Sequence, residues 1–232
     1  MPELLTSDEP VSAQTVPERR RAQIVATAVR LFSEHGYFQT TIEDIANAIP
    51  VSKGLVYKYF KDKDALLFFC MRYVLDKYNL DDVPQLISKI GPLGALLAVM
   101  RIQCSIAQEH RLETTLAYRS TADLSAELSR KIKVLESKTV RIIRQCLDSC
   151  IRQGLMSEIN TDIMAYQYLM YGHTWALKNW AFRDRYTADE YMSEGRNLLL
   201  EPFLTELGRA ELGQCEAEGI SICSPSHDPG SC

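Results

Sequence analysis

Apolar positions recur at helical spacing along almost the whole chain, and no stretch shows the strict alternation of a half-buried strand. Ile24, Ala28, Leu31 and Phe32 define the inner face of a helix over 16–35. Its start is marked by the capping box Thr15-Val16-Pro17-Glu18, with Pro17 tolerated in the first turn, and its end by Gly36. A second capping signal, Thr41-Ile42-Glu43-Asp44, opens a short helix that turns Ile45, Ala46 and Ile49 inward and stops at Pro50. Ser52 caps a third short helix, Lys53 to Tyr59. Asp62 caps a longer one over 63–80, whose apolar residues are Leu66, Phe69, Cys70, Tyr73 and Val74.

Beyond Pro84 the pattern predicts helices over 92–109, 111–118, 122–153, 162–183 and 188–209, the last opened by the capping box Thr187-Ala188-Asp189-Glu190. Residues 1–14 are polar and aperiodic and read as a loose tail. The Gly, Ser, Pro and Cys content of the C-terminus predicts a second disordered tail over 211–232. The fold class is therefore all-α.

Composition adds charge placement to this picture. Apolar residues at 46% and charged residues at 24% are an ordinary soluble mixture. The formal net charge is −4, yet residues 17–63 carry eight Arg or Lys against five acids, a local charge of +3 on an otherwise acidic chain. A basic head on an acidic body is what a small DNA-reading module attached to a non-DNA-binding body shows. The longest apolar run, Leu93 to Met100, lies between Lys89 and Arg101 and is far short of the roughly 20 residues needed to cross a bilayer, so no membrane partner is expected. The N-terminus, MPELLTSDEP, lacks the basic and apolar regions of a secretory signal, which predicts a cytoplasmic protein. Seven cysteines without regular spacing read as reduced thiols rather than a disulfide framework.

Two short helices separated by Ile49-Pro50-Val51, the second carrying Lys53, Tyr57, Lys58 and Tyr59, have the length and chemistry of a helix-turn-helix. The second would enter the major groove, with lysines, tyrosine hydroxyls and helix-start N–H groups holding phosphates. The ordered run Leu31-Phe32-Ser33-Glu34-His35-Gly36-Tyr37, Thr40 to Ala46, Val51 to Phe60, Lys63 and Leu66-Leu67 closely resembles the N-terminal domain of the TetR (tetracycline-repressor-like) family. The resemblance spans about 50 residues. It implies a three-helix DNA-binding domain over 15–61 in which Thr41 and Tyr57 contact phosphate. Lys53, Gly54 and Lys58 would lie near base edges, Ser52 at the start of their helix belongs to the same DNA-binding set, Tyr59 would be shared between packing and backbone contact, and Lys63 would close the contact from the fourth helix. Gly54 would let that helix approach the groove floor. Arg19 to Arg21 read either as a further phosphate contact or as solvated charge. One departure stands out: Pro50 occupies a position where the family usually has Gly, and Pro cannot adopt a positive φ.

A single helix-turn-helix reads only a few base pairs, so a two-fold homodimer on a near-palindromic operator is expected. The segment 162–183 is apolar around most of its circumference, which suits burial by its own core on one side and a partner on the other. The resemblance implies that it joins 188–209 in a four-helix dimer bundle, and that the helical domain 62–210 also binds a small-molecule effector. Tyr118, Tyr166, Met170, His173 and Trp175 are the candidate lining. For Trp175 and Trp180 core or dimer packing is the favoured reading over an effector wall, and a lone His173 is more often a satisfied core histidine than a ligand contact. The stretch Trp175 to Trp180 loosely resembles family regulators that answer to acyl-coenzyme A, and Arg101, Arg111, Arg119, Lys178 and Arg183 read as phosphate partners or as solvated charge. An aromatic or other hydrophobic effector fits as well.

The expectation is thus a ligand-released repressor, the fourth helix acting as the lever between domains. A thiol- or metal-sensing repressor on the same scaffold is the alternative, using Cys146 and Cys150, or Cys215, Cys223, His227 and Cys232. A helical enzyme is the further rival, but no GxSxG, HExxH, phosphate-cradling Gly loop or CxxC pair occurs. No catalytic residue, metal or cofactor is assigned.

Overall fold

The computed structural model describes residues 15–78 and 83–220. The predicted tail over 1–14 and most of the C-terminal one, 221–232, lie outside them. The described residues form eleven α-helices, two 3₁₀ turns and one isolated bridge between Met156 and Leu204, with no strand among them. They divide into two compact units meeting in sequence between Cys70 and Met71, nine residues beyond the boundary expected at 61.

The first unit is built on local signals. Helix α1 (Val16–His35) begins with the complete Thr15–Glu18 capping box and ends at Gly36, whose φ of 84° needs a residue without Cβ. Helices α2 (Ile42–Asn47) and α3 (Lys53–Tyr59) follow, capped by Thr41 and Ser52. The Pro50 departure is resolved without any positive φ: Ala48 stays right-handed, and the Val51 N–H donates to the Ile49 carbonyl at 2.7 Å. That bond closes a three-residue turn around Pro50, whose ring already holds φ near the value such a turn requires. Ile24, Ala28, Phe32, Ile45, Val56 and Leu66 fill the core of this unit. Helix α4 (Lys63–Lys77) starts where the Ala65 N–H donates to Asp62, and the last two residues of its predicted range, 79 and 80, lie outside the described residues.

The second unit is a bundle in which α5 (Val83–Glu109), α7 (Ala126–Arg152) and α8 (Thr161–Leu177) pack against one another, with α6 (Arg111–Ser120) against α8. Helix α5 starts nine residues before the predicted position and is two segments. Ile90 and Gly91, the latter with φ of 72°, break it, and Pro92 opens the apolar second segment. By length and composition this helix could cross a membrane, with a mean hydropathy of 1.5 over its best 18 residues, but 67% of that window is buried inside the protein. It is the central core helix.

Past α8 the structure departs from the expected long elements. The predicted helix 162–183 breaks at Lys178 into α8 and the short α9 (Asn179–Phe182). The predicted helix 188–209 is α10 (Ala188–Leu199), a 3₁₀ turn at Glu201–Phe203 that Pro202 favours, and α11 (Glu206–Ala217). The disorder expected from 211 is therefore wrong through Ala217. Leu212 and Cys215 are buried, and the Thr205 hydroxyl donates to the Gly154 carbonyl at 2.7 Å, so tertiary contacts hold a helix with little periodicity of its own.

Candidate DNA-reading surface and effector site

Each candidate DNA residue has a definite place in the first unit. Thr41 is the N-cap of α2, its hydroxyl donating to Asp44 at 2.7 Å and accepting from the Asp44 N–H at 3.1 Å. These bonds hold the Asp44 carboxyl below its ordinary pKa, chiefly through the Thr41 side chain. The hydroxyl therefore sets the start of α2. Ser52 likewise caps α3, accepting from the Leu55 N–H at 3.2 Å.

Along α3, Lys53, Gly54, Tyr57 and Lys58 are exposed while Val56 is fully buried and Tyr59 half-buried. The spacing of 53, 54, 57 and 58 puts four solvent-facing residues on one side of the helix, opposite Val56. A side chain added at Gly54 would meet only the Ser52 hydroxyl, at 3.9 Å, so this part of α3 is open space. Lys53 pairs with Glu43 of α2 at 3.5 Å, both well exposed, a contact worth little and readily exchanged for a phosphate.

Lys63 is engaged within the head. Its ammonium donates to the carbonyls of Tyr37 at 2.9 Å and Thr40 at 3.1 Å and lies 4.3 Å from the Tyr37 ring centroid. The Tyr37 hydroxyl donates in turn to Asp64. Lys63 thus pins the loop that delivers Thr41 to α2. Arg21 is also engaged, its guanidinium 3.9 Å from the Phe69 ring centroid, and Arg20 donates to Gln23.

In the second unit three of the five effector candidates converge. The Tyr118 hydroxyl on α6 lies 2.7 Å from His173 Nδ1 and 3.2 Å from Met170 Sδ, both on α8. Tyr166 and Met170 are 48% and 37% exposed and share an outward face of α8 with Ile163, at 60%. Trp175 lies elsewhere, buried in an aromatic stack with Phe182 and Tyr191.

His173 is 3% exposed, and desolvation drops its pKa from 6.5 to about 4, so it is neutral at physiological pH. The Tyr78 ring, 5.0 Å away, covers it, and the Tyr78 hydroxyl bonds to Thr114 at 3.2 Å. Burial raises the pKa of both Tyr78 and Tyr118. Gln103, which the sequence reading passed over, is the other buried polar residue here: it is 2% exposed, and neither amide atom has a hydrogen-bond partner, nor does His173 Nε2. A buried group left so costs about 1–3 kcal/mol. Its signal was a lone amide two residues past Arg101, where the helix that begins with the apolar run Leu93 to Met100 continues.

An open cleft of about 360 Å³ between α5 and the start of α10 takes in Arg101, but Glu109 and Asp189 line it too, which makes it a poor cradle for phosphate. The thiols are equally unsuited to sensing: burial pushes Cys146 and Cys150 up to about 12 and Cys215 to about 11, leaving almost no thiolate at neutral pH. Among the described residues no His, Cys, Asp and Glu cluster has the arrangement of a metal site, and Cys223, His227 and Cys232 lie outside them.

A tightly capped three-helix head with an open basic face, followed by a helical unit holding a buried polar cluster, defines a one-component helix-turn-helix regulator. Residues 24–68 match the family model for bacterial regulatory proteins of the tetR family. Across 197 residues the chain is 41% identical to the HTH-type transcriptional regulator HbdR of Aromatoleum sp. (strain CIB), covering 85% of this chain and 86% of that protein. The chain belongs to the TetR family of transcriptional regulators, whose members bind operator DNA as homodimers and answer to small molecules. AibR, solved in complex with isovaleryl coenzyme A and operator DNA, superposes with a TM-score of 0.68 at 26% identity, over 79% of this chain and all of that one. PfmR from Thermus thermophilus shares the fold, with a TM-score of 0.67 at 22% identity over 76% of this chain and 96% of that one.

Proposed function

We propose that the protein is a cytoplasmic repressor, without enzymatic activity, that leaves a palindromic operator when an acyl-coenzyme A or a similar hydrophobic effector enters its second unit. The observation that carries the DNA-reading half is the open face of α3, with Lys53, Gly54, Tyr57 and Lys58 exposed on a head whose core is otherwise closed. Lys53 and Lys58 reach bases or phosphates, Tyr57 holds phosphate, and Thr41, Ser52 and Lys63 fix the helices that present them. Tyr59, half-buried, contributes packing.

Support for the effector half comes from the cluster of Tyr118, Met170 and His173 and from the isovaleryl coenzyme A bound by AibR. The exposed Ile163, Tyr166 and Met170 on α8 and Leu198 on α10 are the apolar surface a second copy covers in a four-helix dimer. Release needs an effector that prefers a conformation in which the two heads miss half-sites about 34 Å apart. Helix α4 carries residues of both units and is the element through which that preference reaches the head.

Selection of bound sequences from random duplex DNA tests the reading. The expected result is an enriched palindrome, lost with Lys53→Ala and weakened with Tyr57→Phe. No enrichment at low salt would overturn it.

A further inference from the structure

Gln103 and His173 are both almost fully buried, and each holds polar hydrogen-bonding atoms that nothing in the protein engages. They stand on α5 and α8, which pack against each other. Gly172, next to His173, lets the helices approach so closely that a side chain added there would stand 3.4 Å from Gln103 Cβ. Two residues with unsatisfied buried polar atoms on packed helices of one bundle are the kind of arrangement a ligand completes.

The chemistry of that ligand follows from where the protons sit. Tyr118 has one hydroxyl proton and two neighbours, an imidazole nitrogen at 2.7 Å and a thioether sulfur at 3.2 Å. The nitrogen is much the better acceptor, so the proton goes to His173 Nδ1, and the ring's own hydrogen must then lie on Nε2. The unengaged Nε2–H is a donor, and the Gln103 amide offers a donor nitrogen and an acceptor oxygen, both unengaged. A ligand group that takes up the two donors is an acceptor. The formal charges felt at the neighbouring tyrosines are those of Glu113 at Tyr78 and Glu136 at Tyr118. A carboxylate lodged there would be desolvated beside acids, whereas a carbonyl asks only for the donors.

We propose that Gln103 and His173 form the subsite that grips an uncharged carbonyl oxygen of the effector, selecting acyl esters or thioesters over the corresponding free acids. This rests on the effector reading above and adds the group recognised and the residues that recognise it.

The test is calorimetric titration of the full-length protein with two matched pairs: isovaleryl coenzyme A against its S-isopentyl thioether, and benzoyl coenzyme A against its S-benzyl thioether. Within each pair only the carbonyl is missing. For at least one pair the thioester is expected to bind the native protein at least about tenfold more tightly than the thioether, and free isovalerate and benzoate not to bind. Gln103→Leu is expected to erase most of the difference within that pair while raising the melting temperature, because it removes the unengaged amide. Equal binding of thioester and thioether by the native protein overturns the proposal without recourse to any variant. Undiminished discrimination by Gln103→Leu overturns the role of that residue. If neither thioester binds, the acyl-coenzyme A reading itself fails and the proposal falls with it.

Discussion

His173 makes stability in the second unit acid-sensitive over a definable range. Its imidazole is held neutral by burial, with a pKa near 4 against 6.5 for an exposed ring. Below 6.5 the unfolded chain takes up a proton that the folded chain refuses, so stability present above that value is lost as pH falls toward 4. The loss is about 2 kcal/mol per subunit between about pH 7.5 and about pH 5, and about 3.4 kcal/mol once titration is complete. Of the groups around the ring, Tyr78 and Tyr118 titrate only at high pH, and Glu136, whose carboxyl is raised by burial, changes stability in the opposite sense. His173→Asn keeps an acceptor for the Tyr118 hydroxyl and removes the titration. Urea unfolding followed by tryptophan fluorescence reports on the right unit, since Trp175 and Trp180 both belong to it. The wild-type midpoint should fall between pH 7.5 and pH 5 and the variant's should fall less, by about the amount above. Parallel pH curves for the two proteins would refute the argument, because they would mean that the ring is already solvated or already charged.

Three further outcomes test other parts of the structure. Gly54→Ala meets no obstruction and should raise melting stability by up to about 1 kcal/mol while weakening operator binding about tenfold in a fluorescence anisotropy titration; unchanged DNA affinity would remove α3 from the groove. Gly208→Ala would drive a methyl into the Leu155 carbonyl, so a loss of about 2–3 kcal/mol is expected in thermal unfolding, and a wild-type melt would show that α11 is not seated there. Lys63→Met removes two hydrogen bonds to the loop before α2 and should destabilise the head by about 1–2 kcal/mol and lower operator affinity with it. If affinity falls while head stability stays put, Lys63 acts on phosphate instead.

Much of the head was legible because its signals are local. Thr15 with Glu18, Ser52 as a cap and Gly36 as a stop each act within four residues, and all three helix boundaries fall where those residues put them. The last third was not. Pro202 and Lys178 interrupt patterns that look continuous by periodicity, and α11 extends to Ala217 because Leu212 and Cys215 find a core that sequence proximity does not reveal. Pro84 reads as a breaker, yet it sits in the first turn of α5, where a missing N–H costs nothing.

The same distinction explains the uneven reading of the two candidate sites. A surface that reads DNA needs exposed residues on one helix, so its members lie within a few positions of one another and the pattern Lys53-Gly54-x-x-Tyr57-Lys58 shows it directly. A buried recognition site is made by residues that become neighbours only after packing: Gln103 and His173 are 70 positions apart, and each alone is an ordinary polar interruption of an apolar helix. Trp175 packs on Phe182 and Tyr191, away from Tyr118 and His173, and no periodicity in the sequence separates those two environments. In a family where the fold is shared and effectors differ, the residues to look for in the sensing unit are therefore polar groups the core leaves without partners, more than the apolar wall around them.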